Sequence, residues 1–125
     1  MILGTGVDAV EIERIRGVLG RQKERFIRRV FTEAETAYCL GFRDPAPHFA
    51  ARFAAKEALF KALGTGWTAG VAWLDAEVLR LQTGAPSLEL HGEAANRAAR
   101  MGARRTHVSL SHSETIAVAT VLLEG

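Results

Sequence analysis

The ten residues Thr115–Glu124, "TIAVATVLLE", constrain the fold more than any other stretch. A strand with one wet face alternates apolar and polar residues, whereas this one is apolar on both faces. Such a strand belongs in the middle of a sheet. The preceding "THVSLSH", Thr106–His112, also has strand character, and Ser113-Glu114 forms the turn between the two. On that strand His107, Ser109 and Ser111 face one way, and Val108, Leu110 and His112 the other. Hydroxyls in a row suit hydrogen bonding to a phosphate or ribose, and equally suit the solvated face of an edge strand. His112 stands where strand meets turn, as a proton shuttle or as a capping residue.

The rest of the chain supplies partners for this pair. Residues 2–8 read as a strand that ends in "GTGVD", with Asp8 just after a glycine-flanked turn. Ile12, Ile15, Val18 and Leu19 follow helical spacing, which Gly17 and Gly20 weaken. "TEAE", Thr32–Glu35, is a capping-box pattern ahead of a short helix through about Leu40. "RDPAP" then breaks the chain, and a long helix spans about His48–Leu63, with Gly64 as its stop. "VAWLDAEVLRL" and "SLELHG" read as two strands joined at "QTGAP", and "EAANRAARMGA" as a helix. The expected fold is α+β: one domain over residues 1–125, its helices packed on a small, mainly antiparallel sheet.

Composition narrows the setting. No apolar run approaches the roughly 20 residues of a membrane span, and "MILGTGVDAVEI" lacks the basic leader of a signal peptide. The single cysteine, Cys39, rules out an internal disulfide and an all-cysteine metal site. The expectation is a cytoplasmic protein.

The long helix raises a chemical question. In "RFAAKEALFKALGTG", Arg52–Gly66, a carboxylate stands between Lys56 and Lys61. Glu57 and Lys61 share a face, with Ala50 and Ala54 on the same stripe, while Phe49, Phe53, Phe60 and Leu63 form an adjoining core face. As a surface ion pair, Glu57–Lys61 contributes only a few tenths of a kcal/mol. As chemistry, Asp8 and Glu57 could hold Mg²⁺, an ion that prefers oxygen ligands, and Lys61 could hold a phosphate. Backbone N–H groups around Gly64 and Gly66 could extend an anion nest.

Charge adds a further feature. Between Arg14 and Arg29 lie seven basic residues and one acidic residue, Glu24, so the rest of the chain is net acidic. Such a run is a solvated helix face or a docking surface for an acidic partner. A nucleic-acid-binding module could also use it, although the carboxylate pair would repel phosphates unless a metal intervened. A scaffold protein could carry the same helix pattern as ion pairs.

"GTGVDAVEIERI", "RFAAKEALFKALGTG" and "HVSLSH", in this order and at this chain length, resemble the holo-[acyl-carrier-protein] synthases, small bacterial phosphopantetheinyl transferases. "WLDAEVLRLQTGAPSLELHGEA", with its Gly-x-Pro turn, resembles that family's strand pair. The resemblance implies transfer of 4′-phosphopantetheine from coenzyme A to a serine of apo-acyl-carrier protein, with release of adenosine 3′,5′-bisphosphate. It implies a role in fatty acid biosynthesis and a homotrimer with active sites between neighbouring protomers. By the same resemblance Asp8 and Glu57 match Mg²⁺ ligands, and Lys61 a phosphate-binding lysine. His112 matches a histidine considered for acid–base chemistry. Gly64, Pro86, Ser109 and Ser111 match positions near the coenzyme, and Arg14 and Arg21 match carrier-protein contacts. Glu57, through a metal-held water, is the first candidate to accept the serine proton, and His112 the second.

Overall fold

The fold is given by a computed structural model that describes residues 1–66 and 70–125. The elements run β1 (Ile2–Glu11), α1 (Ile12–Val30), α2 (Glu33–Leu40), α3 (Ala46–Ala62), β2 (Ala76–Arg80), β3 (Pro86–Leu90), α4 (Gly92–Met101), β4 (Arg105–His112) and β5 (Ile116–Glu124). The expected α+β architecture is the one observed. β5 lies centrally in a three-stranded antiparallel sheet of order β1-β5-β4, and β2 and β3 form a separate antiparallel hairpin.

Register places the candidate residues. Asp8 pairs across to Ala119 and then to Leu110, while Val10 leads through Ala117 to His112. Ala117, Ala119, Val121 and Leu123 are buried on the face that meets α3. The opposite face stays partly open: Val7 is 56% exposed, and Val118, Thr120 and Leu122 are only half-buried. Ser109 and Ser111 pair with Thr120 and Val118, so they belong to this open face.

Helix α3 is nearly enveloped. Ala50, Ala51, Ala54, Ala55 and Ala58 are buried along its length, beside Phe49, Leu59 and Phe60. Alanines leave room for β1 to approach, and β1 uses it. A methyl group built on Gly6 would overlap the Ala58 carbonyl oxygen and lie 2.8 Å from its carbon; one on Gly4 would overlap the Ala62 carbonyl oxygen. This corrects the sequence expectation for "GTGVD". The segment is not a turn but the interior of β1, and its glycines serve strand-to-helix contact.

Other boundaries moved for local reasons. α1 continues through Gly17 and Gly20 to Val30, with Gln22 alone off helical geometry (φ −141°, ψ 43°). α3 begins at Ala46, where Pro45 presets the first turn. Trp73–Asp75 is a single 3₁₀ turn, so the strand expected from Val71 starts only at Ala76. The Thr32–Glu35 capping box is present in both directions: Glu35 N–H donates to Thr32 Oγ1 at 3.2 Å, and Thr32 N–H to Glu35 Oε1 at 2.9 Å.

Candidate active site

The seam between β1 and α3 gathers three of the nominated residues. Asp8 lies on the α3-facing side of β1, its side chain 16% exposed. Lys61 reaches across from α3, and its Nζ donates to Asp8 Oδ1 at 3.1 Å and to the Val7 carbonyl at 2.9 Å. Glu57 stands one turn earlier. Its carboxyl is raised above the ordinary range by burial first and by the Asp8 charge second, against Lys61 and Arg14. A carboxylate whose pKa is raised by burial and by a second carboxylate beside it, with hard oxygen donors only, fits a Mg²⁺ site that would complete its coordination with water and substrate oxygens.

The second lysine of the stretch has a different task. Lys56 is fully buried, and its ammonium donates to Glu35 Oε1 at 2.8 Å, to the Trp73 carbonyl at 3.2 Å and to the Ala76 carbonyl. Glu35 Oε2 accepts from Val78 N–H at 2.8 Å. This network ties α2, α3 and β2 together and leaves Lys61 as the lysine at the seam.

His112 shares the α3-facing side of the sheet, two strands away from β1. Its Nδ1 lies 3.2 Å from the Ser113 carbonyl, an acceptor, so Nδ1 is the ring nitrogen placed to donate there. It borders a cleft of about 600 Å³ lined also by Arg16, Asp44, Pro47, Ser113 and Glu114. Sequence reasoning missed its neighbours. His48 meets His112 edge to face with ring centroids 5.5 Å apart, and stacks on Phe42 at 3.6 Å. Burial, followed by the charges of His112, Arg52 and Arg80, lowers the His48 pKa. Arg52 is 1% exposed, its guanidinium 4.1 Å above the Tyr38 ring, and its buried Nε has no partner among the described residues. An arginine in an alanine-rich helix was the available signal for this cationic corner.

The remaining nominees are dispersed. Arg14 and Arg21 are exposed on α1, both before the distortion at Gln22. Pro86 opens β3, and Ser109 and Ser111 lie across the sheet from Asp8. Gly64 takes φ +77° past the end of α3, as a helix stop requires. The anion nest expected there is corrected: Gly64 N–H donates to the Lys61 carbonyl, and the Thr65 and Gly66 N–H groups to the Phe60 carbonyl. Those donors close the helix. A further group, Glu77, Glu89 and His91, sets its ligand atoms within 4.8 Å of one another on the β2–β3 hairpin. There the Thr32 hydroxyl and then His91 hold Glu77 below the usual carboxylate range. The lysine suited to phosphate stands at the Asp8–Glu57 pair instead. A cleft of about 800 Å³ between α1 and α2 contains none of the nominees, so chemistry rather than size locates the site.

Comparison with known proteins settles the family. The family model described as "4′-phosphopantetheinyl transferase superfamily" matches residues 4–120. The chain belongs to that superfamily. As a member it is a transferase. A holo-[acyl-carrier-protein] synthase of Anaeromyxobacter dehalogenans is 55% identical to it, with all of this chain and 98% of that protein covered. The crystal structure of the Neisseria meningitidis holo-[acyl-carrier-protein] synthase superposes with a TM-score of 0.90 at 30% identity, covering both chains completely. The Bacillus anthracis synthase in complex with CoA (3′,5′-ADP) gives 0.81 at 38% identity, covering 98% of this chain and 96% of that one. Among the described residues no helix is long and apolar enough to cross a membrane.

Proposed function

We propose that this phosphopantetheinyl transferase acts as a holo-[acyl-carrier-protein] synthase: it moves 4′-phosphopantetheine from coenzyme A to a serine of apo-acyl-carrier protein. The observation that carries the reading is the Asp8–Glu57–Lys61 constellation at the β1–α3 seam, in a chain 55% identical to a protein of that name. Asp8 and Glu57 would hold Mg²⁺, which supplies charge neutralisation on the pyrophosphate oxygens. Lys61 stabilises the departing phosphate. Glu57, through a metal-held water, is the favoured acceptor for the serine proton, and His112 the second. The exposed Arg14 and Arg21 offer a face for an acidic carrier protein, and the cytoplasm, where fatty acids are built, is the proposed setting.

We also infer that the working form is a homotrimer. The half-open sheet face beside Val7, Val118 and Leu122 supports this, because it offers apolar surface to another copy. Ser109, Ser111 and Pro86 lie away from Asp8 in one chain, a separation that a site shared between protomers would resolve. The test is mass spectrometry of apo-acyl-carrier protein after incubation with this protein, coenzyme A and Mg²⁺. The phosphopantetheine mass increment on the carrier serine is expected; an unmodified carrier would refute the reading.

A further inference from the structure

Without metal, Asp8 has a cation on it: the Lys61 ammonium, 3.1 Å from Oδ1. Two of the three donors of Lys61 are spent on β1, one on Asp8 and one on the Val7 carbonyl. The Lys61 side chain is nonetheless 50% exposed on a flexible stem, whereas Asp8 is 16% exposed and fixed in the strand. Glu57 receives no such bond among the described contacts. The site thus holds one carboxylate with a resident cation and one without, and that cation ends a half-exposed side chain.

Building on the metal reading above, we propose that Lys61 is the resident counter-cation of Asp8, displaced when a divalent metal binds, so that metal entry releases its ammonium to the substrate phosphate. An ammonium and a divalent cation repel at one carboxylate, so each weakens the other there. The released lysine recovers a donor that a phosphate oxygen in the cleft can accept. Metal and pyrophosphate therefore bind with positive coupling, and linkage makes that coupling reciprocal.

The test measures binding, not turnover. Binding of Mn²⁺ to the coenzyme-free protein is followed by the electron paramagnetic resonance of the free ion, in wild type, Lys61→Met, Lys61→Gln, Arg14→Met and Asp8→Asn. Lys61→Met and Lys61→Gln are expected to bind Mn²⁺ about fivefold more tightly, the scale of a half-exposed ion pair. Arg14→Met removes an equal charge that also acts on Glu57 but makes no bond to Asp8, and should gain less than about twofold. The factor by which Mn²⁺ tightens coenzyme A binding should shrink in the Lys61 variants. Unchanged or weaker Mn²⁺ binding in both Lys61 variants, or an equal gain in Arg14→Met, overturns the proposal. Asp8→Asn separates the two levels. If it abolishes Mn²⁺ binding, the metal reading stands whatever Lys61 does; if it leaves binding intact, the metal reading fails and takes the proposal with it.

Discussion

Replacing Gly6 with alanine tests the seam on which the site depends. The added methyl would overlap the Ala58 carbonyl oxygen and sit 2.8 Å from Ala58 C and 3.1 Å from Ala62 N. All three are backbone atoms of α3, so no rotamer change relieves the clash. Carbon atoms pack at roughly 3.5–4.0 Å, so β1 must move from the helix by about 1 Å. Overpacking a core costs about 1–3 kcal/mol, and a clash against rigid backbone belongs at the upper end, near 3 kcal/mol. For a domain of this size that is a fall of about 10–15 °C in Tm. The same shift moves Asp8, two residues along β1, away from Glu57, whose neighbour Ala58 meets the methyl. Displacements of about 1 Å at a reacting centre can cost a hundredfold in rate, so turnover by the folded variant should fall by about that much. Calorimetry and transfer kinetics well below the lowered Tm would read both effects. Gly20→Ala is the control. Gly20 is exposed in α1, a Cβ there meets nothing within 4 Å, and alanine should stabilise by about 0.5–1 kcal/mol. If Gly6→Ala melted within a degree or two of wild type and turned over normally, β1 and α3 would not be locked by contact, and the placement of Asp8 would need another cause.

Glu57→Gln should abolish turnover yet raise Tm at neutral pH. A carboxyl raised above its ordinary 4.5 leaves the folded state binding more protons than the unfolded state, so wild-type stability falls as pH rises through that window, and the gain of the variant should appear only above it. Melting curves across acidic to neutral pH check the sign, and an equal Tm at neutral pH would contradict it. Lys56→Met strands the fully buried Glu35 carboxylate and should cost about 3–5 kcal/mol, with Lys56→Met/Glu35→Leu recovering part of the loss in urea titrations. Arg14→Glu with Arg21→Glu should raise the KM for carrier protein and leave the KM for coenzyme A unchanged, and the wild-type rate at low carrier concentration should fall with salt. Normal carrier binding with lost coenzyme affinity would move α1 to the coenzyme site.

What was legible in the sequence is what local patterning decides. The apolar run of β5 announced a central strand, the Thr32–Glu35 spacing announced a capped helix, and Gly64 announced a helix stop. What was hidden depends on partners remote in sequence. "GTG" carries the composition of a turn, and only the backbone of α3 pressed against it explains why those residues have no side chains. The serines of β4 face the half-open side of the sheet, and sequence spacing alone could not reveal what they meet there. Lys56, Glu57 and Lys61 show the same limit inside a single helix. Successive residues on a helix are about 100° apart, so Lys56 and Glu57 point at different neighbours although they touch in sequence. Lys56 meets Glu35 of α2, which already serves the capping box, while Glu57 and Lys61, four apart, share the face toward β1. One carboxylate between two lysines therefore belongs to neither a ladder of ion pairs nor a single cluster. The helix separates a buried lysine that ties α3 to α2 and β2 from a half-exposed lysine whose ammonium bonds Asp8 and the Val7 carbonyl of β1.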